Sequence, residues 1–224
     1  MVGRILKRSF DIVASATALA LLSPLIGLIS LLIRVTSPGP IFFRQERIGM
    51  HRKPFRMVKF RSMVVDADKL GPLVTARRDS RITMIGGILR RTKLDELPEL
   101  WNVLTGDLSL VGPRPEVKKY VELYPPAWMR VFDVRPGITD FATLHFRDEE
   151  SVLEKAKDRE EAYVKIVMPI KIRLALWYID HQSFVLDLRI LVDTVLSITI
   201  GRFFPERFET SIASRAAEKV ERLQ

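Results

Sequence analysis

The chain has 224 residues, room for one sizeable domain plus appendages. Its 36 Lys and Arg against 27 Asp and Glu leave a net charge of +9, which points to an anionic partner: a phosphorylated substrate, acidic lipid headgroups or nucleic acid. The absence of Cys excludes disulfides and thiolate metal sites, and His51, His145 and His181 fall at no metal-ligand spacing, so any metal is a hard ion, Mg²⁺ or Mn²⁺, held by carboxylates and phosphate.

From about Ile12 to Ile33 runs an uncharged apolar stretch of roughly 22 residues, long enough to cross a bilayer, with Ser23-Pro24 at its centre. Pro24 has no N–H and its ring clashes with the Ala20 carbonyl, so the pattern predicts a kink, with Ser23 re-satisfying part of the freed backbone. Arg4, Lys7 and Arg8 precede the run, and Arg34, Arg44, Arg47, Arg52 and Lys53 follow it. Basic flanks mark the cytoplasmic side. With both flanks basic, the expectation is a re-entrant helix hairpin with Ser23 and Pro24 at the membrane turn. Each half-helix, of about 12 residues, rises only about 18 Å, too short for about 30 Å of hydrocarbon. A proline-kinked single span is the alternative.

Ser37-Pro38-Gly39-Pro40 is a rigid turn that ends the membrane segment. Phe55 to Met63 alternates apolar and basic residues, which predicts a half-buried strand whose basic face looks into one site. In Leu94 to Leu104, residues Leu97, Leu100, Trp101 and Leu104 share one helical face. Pro98 sets the start of that helix, which makes Asp95 its expected N-cap, and Gly106 closes it. Leu108 to Val111 is a short apolar strand, followed by the fixed loop Gly112-Pro113-Arg114-Pro115. Lys155 to Val167 reads as a charged helix that Pro169 ends or kinks. From Leu186 to Ile200 the apolar residues recur at helical spacing, which suits an interfacial amphipathic helix, with Phe203-Phe204 at the bilayer surface, or equally a core helix.

The predicted fold class is therefore α/β but predominantly helical. A re-entrant membrane anchor (1–36) precedes a small cytosolic catalytic domain with short strands (37–182), an amphipathic, interfacial helix (183–210) and a polar helical tail (211–224).

The chemistry concentrates at Asp95-Glu96. At a helix start two adjacent carboxylates reach the same space. Read structurally, Asp95 only caps and Glu96 only complements the dipole. Yet Arg77, Arg78, Arg81, Arg90, Arg91 and Lys93 lie just upstream, more cations than two carboxylates require. A basic shell around an acidic pair suits Mg²⁺-assisted phosphoryl transfer, in which cations hold phosphates while a carboxylate attacks or binds the metal. Asp95 and Glu96 are the candidate catalytic residues and the candidate ligands for Mg²⁺, with Mn²⁺ as a substitute.

The series Ser-Pro-Gly-Pro-Ile-Phe-Phe-Arg-Gln (37 to 45), Lys-Phe-Arg-Ser-Met (59 to 63), Leu-Asp-Glu-Leu-Pro-Glu-Leu-Trp-Asn-Val-Leu (94 to 104), Gly-Asp-Leu-Ser-Leu-Val-Gly-Pro-Arg-Pro (106 to 115) and Val-Arg-Pro-Gly-Ile-Thr (134 to 139) resembles the bacterial sugar transferases, the monotopic polyprenyl-phosphate phosphoglycosyl transferases. The resemblance runs from Lys7-Arg8 to about residue 139 and returns more weakly at Tyr178 to Val192. It implies transfer of a sugar 1-phosphate from a UDP-sugar to undecaprenyl phosphate, with release of UMP, at the cytoplasmic face of the bacterial inner membrane, as the first membrane step of surface glycan assembly such as exopolysaccharide or lipopolysaccharide. It implies Asp95 as nucleophile, forming an aspartyl phosphate, and Glu96 as metal ligand or orienting group. Lys59, Arg90 and Arg114 match basic motif positions and are candidate contacts to the diphosphate or uridine.

The chain departs from the family pattern after Thr139. Asp140-Phe141-Ala142-Thr143 stands where the family has Gly-Trp-Ala-Gln, with only Ala142 and the later Arg147, a further substrate-binding candidate, in agreement. Ala175 replaces a family Asp. These departures leave the dyad untouched and bear on the sugar pocket, so no particular sugar is implied, and homo-oligomerisation is left open. A membrane-tethered basic module that binds nucleic acid or acidic lipid by charge alone is the competing reading, but the acidic pair would repel such a ligand. A phosphohydrolase using water as acceptor is a third, set aside only through the resemblance. Nucleic acid is therefore not an expected partner; the UDP-sugar, undecaprenyl phosphate and membrane lipids are.

Overall fold

The computed structural model describes residues 2–71, 74–75, 79–145, 153–154 and 156–199. Helix α1 (Val2–Thr36) carries the apolar run and continues through Pro24 as one helical element of 35 residues, so the two half-helices expected from the sequence are not separate elements. The Ala20 carbonyl, deprived of its N–H partner by Pro24, accepts from Ser23 Oγ at 2.8 Å instead. That is the local repair the Ser-Pro pair predicts. Leu21, Leu31 and Val35 stand exposed on this helix, whose length and composition suffice to cross a membrane.

Both arms of α1 rest on one body. Arg8 donates to the Val103 and Leu104 carbonyls at 2.7 and 3.0 Å, at the C-terminal end of helix α3 (Glu99–Thr105), where a cation complements the exposed carbonyls. Toward the other end of α1, Ile29 and Ile33 join Phe60 and Leu89 in a buried cluster. The helix ends at Thr36, and Arg61 pins the turn that follows by donating to the Ser37 and Pro38 carbonyls at 2.7 and 2.6 Å.

Strands β1 (Phe42–Ile48) and β2 (Pro54–Phe60) form an antiparallel hairpin with Phe43 opposite Lys59. The single basic face expected from residue 55 to 63 does not form. Arg56 and Lys59, three residues apart, fall on opposite faces of the pleat, and Arg61 lies beyond the strand end and turns to the Ser37-Pro38 carbonyls. Asn102 of α3 stitches β2 to the helix, accepting from Val58 N at 3.0 Å and donating to the Arg56 carbonyl at 2.9 Å.

Helix α2 (Met84–Thr92) is capped by Thr83, whose Oγ1 accepts from Gly86 N at 3.0 Å. Gly86 is a close-approach residue: a Cβ there would sit 1.9 Å from the Ser62 carbonyl oxygen. Strands β3 (Ser109–Val111) and β4 (Gly137–Thr139) pair in parallel, the second two-stranded sheet among the described residues. Helices α4 (Lys118–Val121) and α5 (Phe141–His145) flank this sheet in sequence.

Toward the C-terminus come α6 (Arg159–Ala162), a wide π turn over Tyr163–Val167, α7 (Met168–His181) and α8 (Phe184–Thr199). Pro169 therefore does not end the helical stretch, which runs on through it. It sits in the first turn of α7, and the π turn absorbs the change of hydrogen-bond register before it. The principal core gathers Tyr120, Tyr124, Phe132, Tyr163, Val167 and Ile172. Along α8, Val185, Val192 and Val195 face outward while Asp187 and Ile190 are buried, so the outer face of this helix is the apolar one. Residues 200–224, including Phe203-Phe204 and the polar tail, lie outside the described residues, as do Arg77 and Arg78.

Candidate active site

Lys93 closes α2 in the left-handed region at φ 57, and the chain enters a 3₁₀ turn over Leu94–Glu96 before α3 begins at Glu99. Asp95 is thus not the N-cap expected from the sequence; Pro98 occupies that position, because the 3₁₀ turn carries the chain past the dyad before the helix starts. The buried face of α3 also differs from the expected one. Glu99, Leu100, Asn102 and Val103 face inward, and Trp101, expected on the buried face, is 56% exposed.

Freed from capping, Asp95 is 8% exposed, and its Oδ1 is buried without a hydrogen-bond partner among the described residues. A buried polar atom left unpaired costs about 1–3 kcal/mol, which a fold retains where a ligand or reaction needs the atom. Glu96 is the opposite case. Its Oε1 accepts from Lys59 Nζ at 2.8 Å and from Arg114 Nη2 in a short charged contact. Arg114 also donates to the Ile138 carbonyl at 3.3 Å, so the loop after β3 is tied to β4 and to the dyad by one side chain.

Electrostatics separates the two carboxyls. Burial, then the Glu96 charge, pushes Asp95 above its ordinary value, while Lys59, Lys93 and Arg90 pull it back. Burial also works against the Glu96 charge, but Arg114, Lys59 and Lys93 outweigh it and hold that carboxyl well below the usual range. The charge of Glu96 in turn raises Arg114 well above its ordinary value.

Of the residues singled out in the sequence, Asp95, Glu96, Lys59 and Arg114 converge directly. Arg90 stands in the last turn of α2, close enough for its charge to act on Asp95. Arg147 lies outside the described residues. Sequence reading passed over Glu99, 1% exposed, whose carboxylate pairs with Lys59 at 3.1 Å without hydrogen-bond alignment. It is the third acid of the segment Leu94–Glu99, four residues after Asp95, and that count was the available signal.

Two supports of the site were also unforeseen. Asp140, 4% exposed, accepts from Thr143 N and, at 3.2 Å, from Arg114 N, so this departure from the family pattern caps α5 and steadies the Arg114 loop. Asp187 of α8 accepts from Lys7 at 2.6 Å and from Tyr178 at 2.5 Å, and Lys7 also donates to the Val111 carbonyl at 2.9 Å. Nothing in local sequence pairs Lys7 with Asp187.

The sequence profile of the family described as bacterial sugar transferase matches residues 2–201. The chain belongs to the bacterial sugar transferase family. This family member is 40% identical over 197 residues to the "Uncharacterized sugar transferase EpsL" of Bacillus subtilis (strain 168), covering 88% of this chain and 89% of that protein. It is 46% identical over 165 residues to the "UDP-glucose:undecaprenyl-phosphate glucose-1-phosphate transferase" of Escherichia coli (strain K12), covering 71% of this chain and 35% of that protein. It is 37% identical over 199 residues to the "UDP-N-acetylgalactosamine-undecaprenyl-phosphate N-acetylgalactosaminephosphotransferase" of Aeromonas hydrophila, covering 88% of this chain and 44% of that protein. The transferase thus spans less than half the length of the last two relatives.

Proposed function

We propose that this sugar transferase moves a sugar 1-phosphate from a UDP-sugar to undecaprenyl phosphate at the cytoplasmic face of the bacterial inner membrane, through an aspartyl phosphate on Asp95. The observation that carries the reading is the buried Oδ1 of Asp95, which has no hydrogen-bond partner among the described residues, beside a carboxylate already neutralised by Lys59 and Arg114. A carboxylate oxygen bound by no donor keeps its nucleophilicity. Its neighbour, clamped by two cations, does not compete.

In the first step an Asp95 oxygen bonds to the phosphorus that carries the sugar, and the phosphoanhydride bond breaks with its electron pair leaving on UMP. In the second step an oxygen of undecaprenyl phosphate attacks the same phosphorus, and the acyl phosphate bond returns its pair to Asp95. Lys59, Arg114 and Arg90 hold phosphate oxygens as charge redistributes. The proposal includes a hard cation: Asp95 and Glu96 are the adjacent carboxylates that would hold it, and Mg²⁺ is typically bound by one or two carboxylates together with substrate phosphates. Held there, Mg²⁺ would neutralise the diphosphate and stabilise the departing UMP.

One substrate is water-soluble and the other is a lipid, so the dyad must work at the interface. Support comes from α1, whose Arg8 and Ile33 ends contact the same body. In our proposal both flanks stay cytoplasmic and Ser23-Pro24 turns within one leaflet. The outward apolar face of α8 would then seat on the same membrane surface.

The test is UMP release from a panel of UDP-sugars, with and without undecaprenyl phosphate, in the presence of Mg²⁺ or EDTA. Sustained, Mg²⁺-dependent UMP release only when the lipid is present is the expected result. Release that continues catalytically without lipid would make water the acceptor and the protein a hydrolase.

A further inference from the structure

The turn that carries the dyad lies against the apolar helix α1. Leu94 and Leu97, which bracket Asp95 and Glu96, pack on the cluster that Ile29 and Ile33 of α1 build with Phe60 and Leu89. A lipid phosphate that reaches Asp95 brings its hydrocarbon with it, and that hydrocarbon needs a surface of its own beside the cations. Resting on the transfer reading, we propose that Phe43 receives the first isoprene unit of the polyprenyl phosphate, next to the phosphate held by Lys59.

Strand β1 begins just after the turn that ends α1, and its first two residues, Phe42 and Phe43, project from opposite faces of the hairpin. Their roles divide accordingly. Phe42 stacks on Phe60 with centroids 5.4 Å apart and so extends the cluster that holds α1. Phe43 pairs with Lys59 across the hairpin, which sets the two side chains on one face with Cβ atoms about 5 Å apart. On that face Met57 is buried, and Arg47 is half-buried and donates to Gln45 at 2.6 Å. Phe43, however, is 43% exposed. An aromatic ring thus stands open beside the lysine whose Nζ meets Glu96 at 2.8 Å.

The order of chemistry matches the acceptor. From the end of α1 inward the chain presents Val35, exposed, then Phe43, then the Lys59 cation and the dyad. A polyprenyl phosphate has the same order, hydrocarbon joined directly to phosphate, whereas the diphosphate of a UDP-sugar is flanked on both sides by hydroxylated rings. The hairpin is also amphipathic along its length: His51, Arg52, Lys53 and Arg56 are exposed at or near its far end, so the apolar end is the one beside α1. Hydrocarbon bound at Phe43 adds affinity for the acceptor alone. Formation of the aspartyl phosphate makes no use of it.

Two variants, assayed in detergent micelles, test the assignment: Phe43→Gln removes the apolar surface, and Phe43→Leu keeps it without the ring. Stoichiometric UMP release and adduct formation without lipid report the first step, and KM for undecaprenyl phosphate at saturating UDP-sugar reports the second. In Phe43→Gln the first step should stay within about twofold of wild type while KM for the lipid rises about tenfold or more, as expected when a large apolar contact is lost. Phe43→Leu should retain most of the affinity. An intact first step also verifies that each variant is folded. A raised KM for the UDP-sugar with an unchanged KM for the lipid would place the uracil on Phe43 and overturn the proposal. Equal losses in both steps would show Phe43 acting only through Lys59, and a Leu variant as impaired as the Gln variant would deny that hydrocarbon is the ligand; either result overturns it too. A wild type that releases UMP from no UDP-sugar would mark failure of the transfer reading itself, whereas active wild type with an unchanged lipid KM in Phe43→Gln marks failure of the Phe43 assignment alone.

Discussion

Asp95 and Glu96 share one 3₁₀ turn yet are driven in opposite directions: Glu96 is clamped by Arg114 and Lys59, while Asp95 keeps a buried oxygen that no donor among the described residues meets. The turn itself depends on Lys93 at φ 57, a conformation that costs a non-glycine residue about 1 kcal/mol. The dyad is a place where the fold gives up stability.

That trade has a measurable sign. Asp95→Asn removes a buried charge whose pKa is raised, so the variant should be at least as stable as wild type. The raised pKa penalises the ionised wild type, and this penalty is absent at low pH and develops as pH rises through the elevated value. Thermal unfolding from pH 3.5 to 8 should therefore show the advantage of the variant growing with pH. A variant that loses stability relative to wild type as pH rises would contradict the assigned environment of Asp95.

Lys59 pulls the Asp95 carboxyl down and is among the cations holding Glu96 low. The acidic limb of UMP release should accordingly lie above the ordinary aspartate value of 3.8, and Lys59→Met should move it to higher pH while lowering the plateau. A limb that stays in place would show that Lys59 does not act on the ionisation of Asp95.

Arg114 is fixed between Pro113 and Pro115 and divides its guanidinium between Glu96 and the Ile138 carbonyl. Arg114→Lys keeps the charge but cannot hold both partners through a planar fork, so turnover should fall by about one to two orders of magnitude. Near-normal kcat would demote Arg114 to a structural tie.

The topology is accessible because the chain has no cysteine of its own. Single cysteines at Val2 and Lys53 should both be labelled from the cytoplasmic side in oriented vesicles. Replacing Pro24 by Leu restores the N–H that Ala20 lacks and should shift part of the Val2 label to the outer side. Labelling of Val2 only from outside in the wild type would establish a true span.

What could be read in advance was local. The Ser23-Pro24 repair, the Gly106 helix stop, the short strand before Pro113 and the Phe184–Thr199 helix all follow from neighbouring residues and were legible in the sequence. What failed depended on register or on distant partners. The 3₁₀ turn displaced the α3 start by a few residues, which took Asp95 out of the cap, and tertiary packing buries the Glu99, Asn102 and Val103 face of α3 and leaves Trp101 exposed. The meeting of Lys7 with Asp187, 180 residues apart, depends on α1 and α8 both packing at β3, and that of Arg114 with Asp140 on the pairing of β3 with β4, which no short window encodes. The convergence of Lys59 and Arg114 on a single oxygen of Glu96 was likewise invisible, although both had been marked as basic positions.

The central claim is covalent and is tested most directly by trapping. Wild-type protein incubated with its UDP-sugar and Mg²⁺, without lipid acceptor, should gain the mass of one sugar phosphate on the peptide containing Asp95 and release a matching amount of UMP. Asp95→Asn should show neither, since loss of the nucleophile removes more than about 4 kcal/mol of barrier lowering at 1.36 kcal/mol per factor of ten. An adduct mapped to another residue, or transfer intact in Asp95→Asn, would contradict the mechanism.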